Sequence, residues 1–554
     1  MQNAVWNWIA PPKPPLLVAF AALVALAGLW SLPPLDRDES RFAQATTQML
    51  ESGDFVAIRL QEKERNKKPA GIHWLQAASV SAFSDVEDRA IWAYRLPSVL
   101  GAVLAVIFTY FAARRLYDQN TAFLAGLLLA SAPVLAIEAT IAKTDAFLLA
   151  MIALAQFALV EIYARMREGG AIAARWPALF WAAQGAGILV KGPIAPLVSG
   201  LTAIGLAIRS RSLNWRASVR PLLGAAILAV IVAPWAIAIA LATDGRFYAQ
   251  AMFTDMLGKI GDAQEGHAGP PGYHAALLWA LFWPAAALIG PGLAQAWRAR
   301  ATWQARFLLA WIIPSWIVFE LAATKLPHYV LPLYPAIAIV AARAACAPDQ
   351  DRPFLRRGGA LAYGVIGVVV AAFVIAPGYY FSDRPPSDAL VVAGAAFAVT
   401  AIFIAREFWN ARAQRGAIAA AGLSAAFAWV TLSAVAPSLS ALALSPRLSS
   451  ALEQAGRHPR LNHAAPVALA GYREPSAVFL LGTQSKLVDG AQAARALAAG
   501  RVSAAIVEAR HEEAFLRAMT SLGLTPAALA VVEGLNYSNG EATRLTIFIR
   551  IEEE

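Results

Sequence analysis

The chain has 554 residues, 58% of them hydrophobic and 15% charged, with a net charge of +10. So little polar surface cannot cover a soluble protein of this length, which makes a polytopic membrane protein the default class. The single cysteine, Cys346, excludes an internal disulfide framework and a cysteine-based metal cluster, and the basic residues lie scattered between apolar segments, without the continuous stripe that a nucleic acid would need.

Apolar runs long enough to cross a bilayer core, about 20 residues each, number about thirteen. They fall near residues 14–32, 90–112, 121–137, 144–162, 177–190, 193–208, 219–241, 274–295, 306–323, 329–345, 359–381, 388–405 and 416–436. The first has only Lys13 before it and ends in Leu32, Pro33 and Pro34 without a small-residue cleavage site, so it reads as an uncleaved anchor. Alternate loops carry arginine pairs and triplets, among them Arg114 and Arg115, Arg165 and Arg167, Arg298 and Arg300, and Arg356 and Arg357. The positive-inside rule makes those loops cytoplasmic. The opposite side then receives the N-terminal outer loop 33–89, the loop 242–273 and everything after about 437, with the N-terminus on the cytoplasmic side. The arginine loops contain no lysine, whereas Lys63, Lys67, Lys68, Lys143, Lys191, Lys259 and Lys325 all fall on the outer side. GC-rich coding accounts for arginine wherever bulk charge suffices; a requirement for compact ammonium groups at anion-binding positions accounts for the lysines equally well.

The outer loop 33–89 opens with "LDRDESRFAQATTQMLESGDF". Phe42, Ala45, Met49 and Leu50 recur at helical spacing, Gly53 supplies a stop, and Arg41, Gln44 and Gln48 form a polar face, which predicts a short amphipathic helix along the outer membrane surface. Asp36 and Asp38 would stand at its start, where the helix dipole favours carboxylates. One carboxylate suffices for a cap, and three acids within four residues exceed that need. Further along the loop Lys67 and Lys68 precede Pro69 and a tryptophan-bearing helix start.

The same kind of chemistry recurs at other outer helix ends. "AIAKTDAFLLA" holds Lys143 and Asp145, "GILVKGPIAPL" holds Lys191, and "ATKLPHYVLPLYP" holds Lys325, His328 and Tyr329. Interfacial snorkelling explains any one of these lysines. Ionisable groups at membrane depth are costly and usually functional, and four such ends at similar depth predict one shared polar site. Cations would hold a phosphate and an aspartate would receive a proton from an incoming hydroxyl, so the implied chemistry is group transfer from a lipid phosphate. A transporter or flippase would instead spread its charges along a pathway through broken, repeated helices.

After about residue 437 the pattern changes. Short apolar strands, "PVALAGY", "VSAAIVEA" and "RLTIFIRI", alternate with helix-like "DGAQAARALAAG" and "RHEEAFLRAMTSLG", and "NYSNG" at 536–540 marks a turn. The chain thus divides into a membrane domain, 1–436, and a small α/β domain, 437–554, on the outer side.

The motif "DRDESRFAQATTQMLESGDFV", followed in order by "KKPAGIHWL", "KTDAFL", "LVKGPIAPL" and "KLPHYVLPLYP", resembles the lipid-linked-sugar glycosyltransferases of the GT-C fold, in particular the aminoarabinose (lipid A) transferase and protein mannosyltransferase branches. The resemblance covers roughly the first 340 residues by motif and the remainder by layout. It implies an α-helical polytopic membrane protein of about thirteen transmembrane helices, with a C-terminal soluble α/β domain, in a bacterial inner membrane. It also implies inverting transfer of a sugar from a polyprenyl monophosphate, without a nucleotide, to a lipid or protein acceptor of the envelope. An oligosaccharide ligase of related architecture is the nearest enzymatic alternative. By resemblance Asp38 and Asp145 are the catalytic acidic positions, Lys68 approaches the donor phosphate, Glu39 and Arg41 complete the first motif, and Tyr329 lies where a tyrosine near the phosphate is expected; the shared polar site read from the residues adds Lys67, Lys191, Lys325 and His328 as substrate-binding groups. His267, in a Gly/Pro-rich outer loop, matches a histidine that helps to bind a divalent metal in the aminoarabinose transferases. Its partner there is a glutamate immediately before the lysine, a position held here by Lys67, whose charged form cannot ligate zinc.

Overall fold

A computed structural model describes residues 13–34, 37–210, 218–251, 269–348 and 352–550. From the N-terminus the helices are α1 (Pro14–Ala25), α2 (Arg37–Ser52), α3 (Gly71–Phe83), α4 (Ile91–Leu116), α5 (Gln119–Ala130), α6 (Pro133–Ala139), α7 (Asp145–Glu168), α8 (Arg175–Lys191) and α9 (Ile194–Ser210), with a small hairpin of β1 (Arg59–Leu60) and β2 (Lys63–Glu64) between α2 and α3. They continue as α10 (Pro221–Ala242), α11 (Tyr273–Leu281), α12 (Ala286–Arg298), α13 (Trp303–Leu321), α14 (Tyr334–Cys346), α15 (Pro353–Phe381), α16 (Asp388–Trp409) and α17 (Ala413–Val430).

Every one of the apolar runs falls on helix, but the expected thirteen full spans do not all have spanning length. Among the described residues seven helices are long and apolar enough to cross a membrane, or up to nine spans if two bent pairs each count as one. The pairs are α5 with α6, bent by 60°, and α11 with the segment Trp283–Arg298, bent by 89°. Pro133 and Pro284 stand at these breaks, where a proline removes a donor and clashes with the preceding turn. The carbonyl of Ser131, left without a helical partner at the first break, accepts a hydrogen bond from Ser424 Oγ at 2.6 Å. Helix α1, with 12 residues, rises only roughly 18 Å.

The membrane helices associate by close backbone approach as well as by side-chain fit. Gly101 of α4 faces α7 so tightly that a Cβ there would lie 2.5 Å from the Phe147 nitrogen. This is the small-residue contact expected where lipid gives helices no hydrophobic reason to associate. The parallel α4 and α7 end together in arginines, and Arg115 reaches Glu168 at 2.7 Å there. Their N-terminal ends lie together at the opposite side, with Ser98 Oγ of α4 donating to the carbonyl of Ile141, just before α7, at 2.7 Å.

Past α17 come α18 (Leu444–Gln454), β3 (Val467–Ala470), α19 (Pro475–Leu481), β4 (Lys486–Val488), α20 (Gly490–Ala498), β5 (Ala504–Glu508), α21 (Ala509–Ser521), β6 (Pro526–Leu535) and β7 (Ala542–Arg550). The five-stranded sheet has the order β4-β3-β5-β7-β6, parallel across β4, β3 and β5 and antiparallel at β7 and β6. Alternation along the strands feeds two cores. Val467, Leu469, Ala504 and Ile506 pack with Leu448 and Leu481 on one face; Ala468, Ala470, Ala505 and Val507 pack with Leu497 and Phe515 on the other. The 536–540 segment is the turn between β6 and β7, closed by Asn536 N donating to the Glu541 carbonyl at 2.9 Å.

Candidate active site

The N-terminal end of α2 presents Asp38 with half of its side-chain surface (52%) open. Arg41, one turn on, donates Nη1 to Asp38 Oδ1 at 3.0 Å, and Arg65 Nη2, just past the hairpin, stands 3.7 Å from the same oxygen. Surrounding protein desolvates the carboxyl and alone would raise its pKa. The guanidiniums of Arg65 and Arg41 outweigh this, with a smaller contribution from the Lys143 ammonium, and hold Asp38 below the usual carboxylate value. Asp38 is therefore an ionised, accessible carboxylate.

Glu39 is different, and its expected substrate contact is corrected here. Its side chain is 2% exposed and forms a two-pronged pair with Arg95 of α4, Nε to Oε1 at 2.7 Å and Nη2 to Oε2 at 2.8 Å. Oε1 also accepts the Ala142 backbone N–H at 2.9 Å. Arg95 spends its remaining donors on the carbonyls of Leu29, Leu32 and Pro33. The motif's glutamate thus ties α2 to α4, to the end of the first membrane segment and to the turn before α7, with no face left for a ligand.

A second group lies at the start of α7. Asp145 is hydrogen-bonded to Lys191, the last residue of α8, and the Lys191 Nζ lies 5.9 Å from the centre of the Tyr329 ring. His328 sits between two carboxylates, Nδ1 3.4 Å from Glu138 and Nε2 3.6 Å from Asp145, and Glu138 also faces Lys143 at 3.1 Å. Burial and then the Lys143 charge push His328 down to about 3 against the pull of Asp145, so its ring is neutral at physiological pH. Charge on Asp38 acts on His328, and charge on Lys143 acts on Asp38, which ties the two groups into one electrostatic site. Lys68, half-buried, and Lys67, exposed, lie in the turn between Arg65 and α3.

Lys325 falls elsewhere. Its buried ammonium donates to the carbonyls of Gly269, at 2.9 Å, and Pro270, at 3.3 Å, beside Glu320 and His274. It fastens the chain entering α11, whereas His328 and Tyr329 of the same segment reach the shared site. Four of the residues that build the site escaped the sequence reading. Arg65 stood in a run of charges with nothing to distinguish it, Arg95 and Glu138 interrupt otherwise apolar segments, and buried His73, pushed down to about 3 by burial and by Arg65, supports α2 through Thr46 at 2.8 Å. An isolated charge inside an apolar run was the signal available for Arg95 and Glu138.

His267 and Asp36 lie outside the described residues. For a divalent metal, the second position implied by the resemblance is Lys67, and an ammonium is not a ligand. Among the described residues no group of three or more His, Cys, Asp or Glu side chains is arranged to hold a metal ion. Lys67 does not fit the group, and no step below runs through it.

Comparison with solved structures gives the fold. ArnT from Cupriavidus metallidurans bound to undecaprenyl phosphate superposes with a TM-score of 0.76 over 98% of each chain at 20% identity. An archaeal oligosaccharyltransferase, AglB from Archaeoglobus fulgidus, superposes with a TM-score of 0.51 at 12% identity over 90% of this chain and 70% of that one. The family described as dolichyl-phosphate-mannose-protein mannosyltransferase matches residues 67–237, which include Lys68, Asp145 and Lys191. Curated relatives named undecaprenyl phosphate-alpha-4-amino-4-deoxy-L-arabinose arabinosyl transferase are 28% identical in Pseudomonas fluorescens, over 67% of this chain, and 29% identical in Pseudomonas paraeruginosa, over 64%. The chain shares the GT-C fold of the two solved structures and is similar in sequence to these transferases. The matches span 66% and 64% of those two relatives' own lengths. With this fold and its apolar helices the chain is a multi-pass membrane protein, and its candidate site gathers at one set of helix ends.

Proposed function

We propose that the chain is an inverting glycosyltransferase that moves a sugar from a polyprenyl monophosphate to an acceptor of the cell envelope, on the periplasmic face of a bacterial inner membrane. The observation that carries the reading is Asp38: an open carboxylate kept ionised by two guanidiniums, next to a buried network of lysines, at the lipid-proximal helix ends of a GT-C fold. The relatives' names, which specify undecaprenyl phosphate and an aminoarabinose, support an undecaprenyl-type donor and a lipid acceptor such as lipid A.

The acceptor hydroxyl attacks the anomeric carbon opposite the phosphate, a C–O bond forms there, and the bond from that carbon to the phosphate oxygen breaks with inversion. The acceptor proton passes to Asp38, and the carrier leaves as a lipid phosphate. Lys68 and Lys191 neutralise the charge that develops on that phosphate, with Tyr329 beside Lys191. Asp145, committed to Lys191, orients this ammonium, and Lys67 supplies positive charge where the resemblance would have a metal ligand. A neutral His328 keeps the network from carrying excess positive charge.

The test is transfer by purified, reconstituted protein with a panel of polyprenyl-phosphate sugars and an envelope acceptor fraction, with donor loss followed by mass spectrometry. Wild type consumes one donor, in the presence of EDTA as well, and Asp38→Asn loses about 10²–10⁴-fold in rate while still binding that donor. Equal consumption by both proteins refutes the role of Asp38, and no consumption across the panel refutes the transferase reading in favour of transport or ligation.

A further inference from the structure

Two non-glycine residues with left-handed backbone, Gln61 (φ 54°) and Arg89 (φ 51°), flank a junction that the transfer step above does not use. Such conformations are disfavoured for L side chains and persist where the surroundings over-determine them. Three chain segments do so here. Arg89 is buried and donates Nη1 to Gln44 Oε1 at 2.7 Å and to the Phe479 carbonyl at 3.2 Å; its Nη2 donates to Glu51 Oε1 at 2.5 Å and to Thr483 Oγ1 at 3.1 Å. Gln44 and Glu51 belong to α2, whereas Phe479 and Thr483 lie in and just after α19 of the C-terminal region. Gln48, also on α2, grips the hairpin turn from both sides: Gln61 N donates to its Oε1 at 2.7 Å, and its Nε2 donates to the Gln61 carbonyl at 2.9 Å. Gln61 Nε2 in turn donates to the Ser485 carbonyl at 2.6 Å and to that of Thr483 at 3.3 Å.

The hairpin held in this way runs directly into Arg65, and α2 carries Asp38. Their 3.7 Å separation is set by where the hairpin lies against the helix. Residues 479–485 fasten both partners from above, and Arg460 adds a hydrogen bond to the Glu87 carbonyl two residues before Arg89. We propose that the C-terminal α/β region is a positioning element of the transfer site: through Thr483 and the carbonyls of Phe479 and Ser485 it fixes Arg89 and Gln61, and so holds Arg65 against Asp38. Arg89, Gln61 and Thr483 are positioning residues, since they act through Arg65 and α2. The kinetic part of this inference rests on the transferase reading; its structural part does not.

The experiment uses full-length reconstituted protein carrying Thr483→Val, Thr483→Ser, Gln61→Leu, Arg65→Gln and the double variant Gln61→Leu/Arg65→Gln. Thr483→Val and Gln61→Leu are expected to lose about tenfold in kcat with little change in donor KM, because small misplacements of reacting groups are expensive. Thr483→Ser, which keeps the hydroxyl, restores the rate. The double variant is no slower than Arg65→Gln alone, because both changes act through one contact. Additive losses, or no loss in the single variants, overturn the proposal. Hydrogen exchange supplies a readout that does not depend on turnover: amides of residues 59–65 exchange faster in Gln61→Leu and Thr483→Val while those of α7 are unchanged. Unaltered exchange of the hairpin overturns the proposal even if no donor is ever consumed, and wild-type inactivity with accelerated hairpin exchange refutes the transferase reading alone.

Discussion

Asp38 and Asp145 carry the same functional group into opposite circumstances. Asp145 is enclosed and hydrogen-bonded to Lys191, with His328 beside it, whereas Asp38 is half open beside Arg41 and Arg65. A proton acceptor must be both charged and reachable, which is the ground for proposing Asp38 as the base. The cations and titratable groups around it are Arg41 on its own helix, Arg65 past the hairpin, Lys143 before α7 and His328 before α14. The acid limb of kcat/KM follows the ionisation of Asp38 in the free enzyme. Burial raises the pKa of this group, and Arg65 is the largest influence lowering it, so Arg65→Gln raises it and moves the acid limb to higher pH. His328, already neutral above about 3, contributes no limb between pH 5 and 8, so His328→Gln leaves the shape of the profile in that range unchanged. A pH–rate series on the three proteins checks both expectations; an unmoved acid limb in Arg65→Gln removes Arg65 from the account.

Helix α2 joins the residue chemistry to the fold, and the Glu39–Arg95 pair is its anchor. Both partners are almost wholly buried, and the guanidinium also satisfies three carbonyls at the end of the first membrane segment. Arg95→Leu strands a buried carboxylate and those carbonyls together, and is expected to cost about 3–5 kcal/mol, read as a lowered melting temperature of the detergent-solubilised protein and as weakened donor binding. Glu39→Gln keeps a hydrogen-bonding shape and loses less; equal stability of Arg95→Leu and wild type would contradict this anchoring role. The start of α2, its apolar spacing and its stop at Gly53 (φ 70°) were legible in sequence because they are local. The fate of its polar face was not. Gln44 reads as a solvent residue by periodicity, yet it is buried, because Arg89 and Thr483 reach it from positions 45 and 439 residues away. The motif likewise revealed an acid-rich helix start and gave Asp38 to catalysis, but it gave Glu39 to the substrate site, a division that the structure redraws. That division depends on Arg95, a charge near the start of an apolar run.

Across the whole molecule the two ends of the helices differ in charge. Arginines close the ends of α4 and α7 at one face, whereas Asp38, Lys143 and Lys191 gather at the other together with Arg41 and Arg65. Apolar length marked where helices lie but not how many of them span, because prolines divide two runs into bent pairs and several others fall short of the core thickness. Charge asymmetry predicts side, and side can be tested without knowing the substrate. With Cys346 replaced by alanine, the remaining chain has no thiol, so a single introduced cysteine reports its own side. Arg517→Cys, on an exposed helix of the C-terminal region, and Lys63→Cys, on the outer hairpin, are expected to react with a membrane-impermeant maleimide in intact spheroplasts. Arg300→Cys and Arg412→Cys, at arginine-bearing ends, react only after the membrane is opened. The same pattern with the two pairs exchanged would put the candidate site in the cytoplasm. A nucleotide-activated donor would then be within reach, and a carrier lipid would lose its physical rationale.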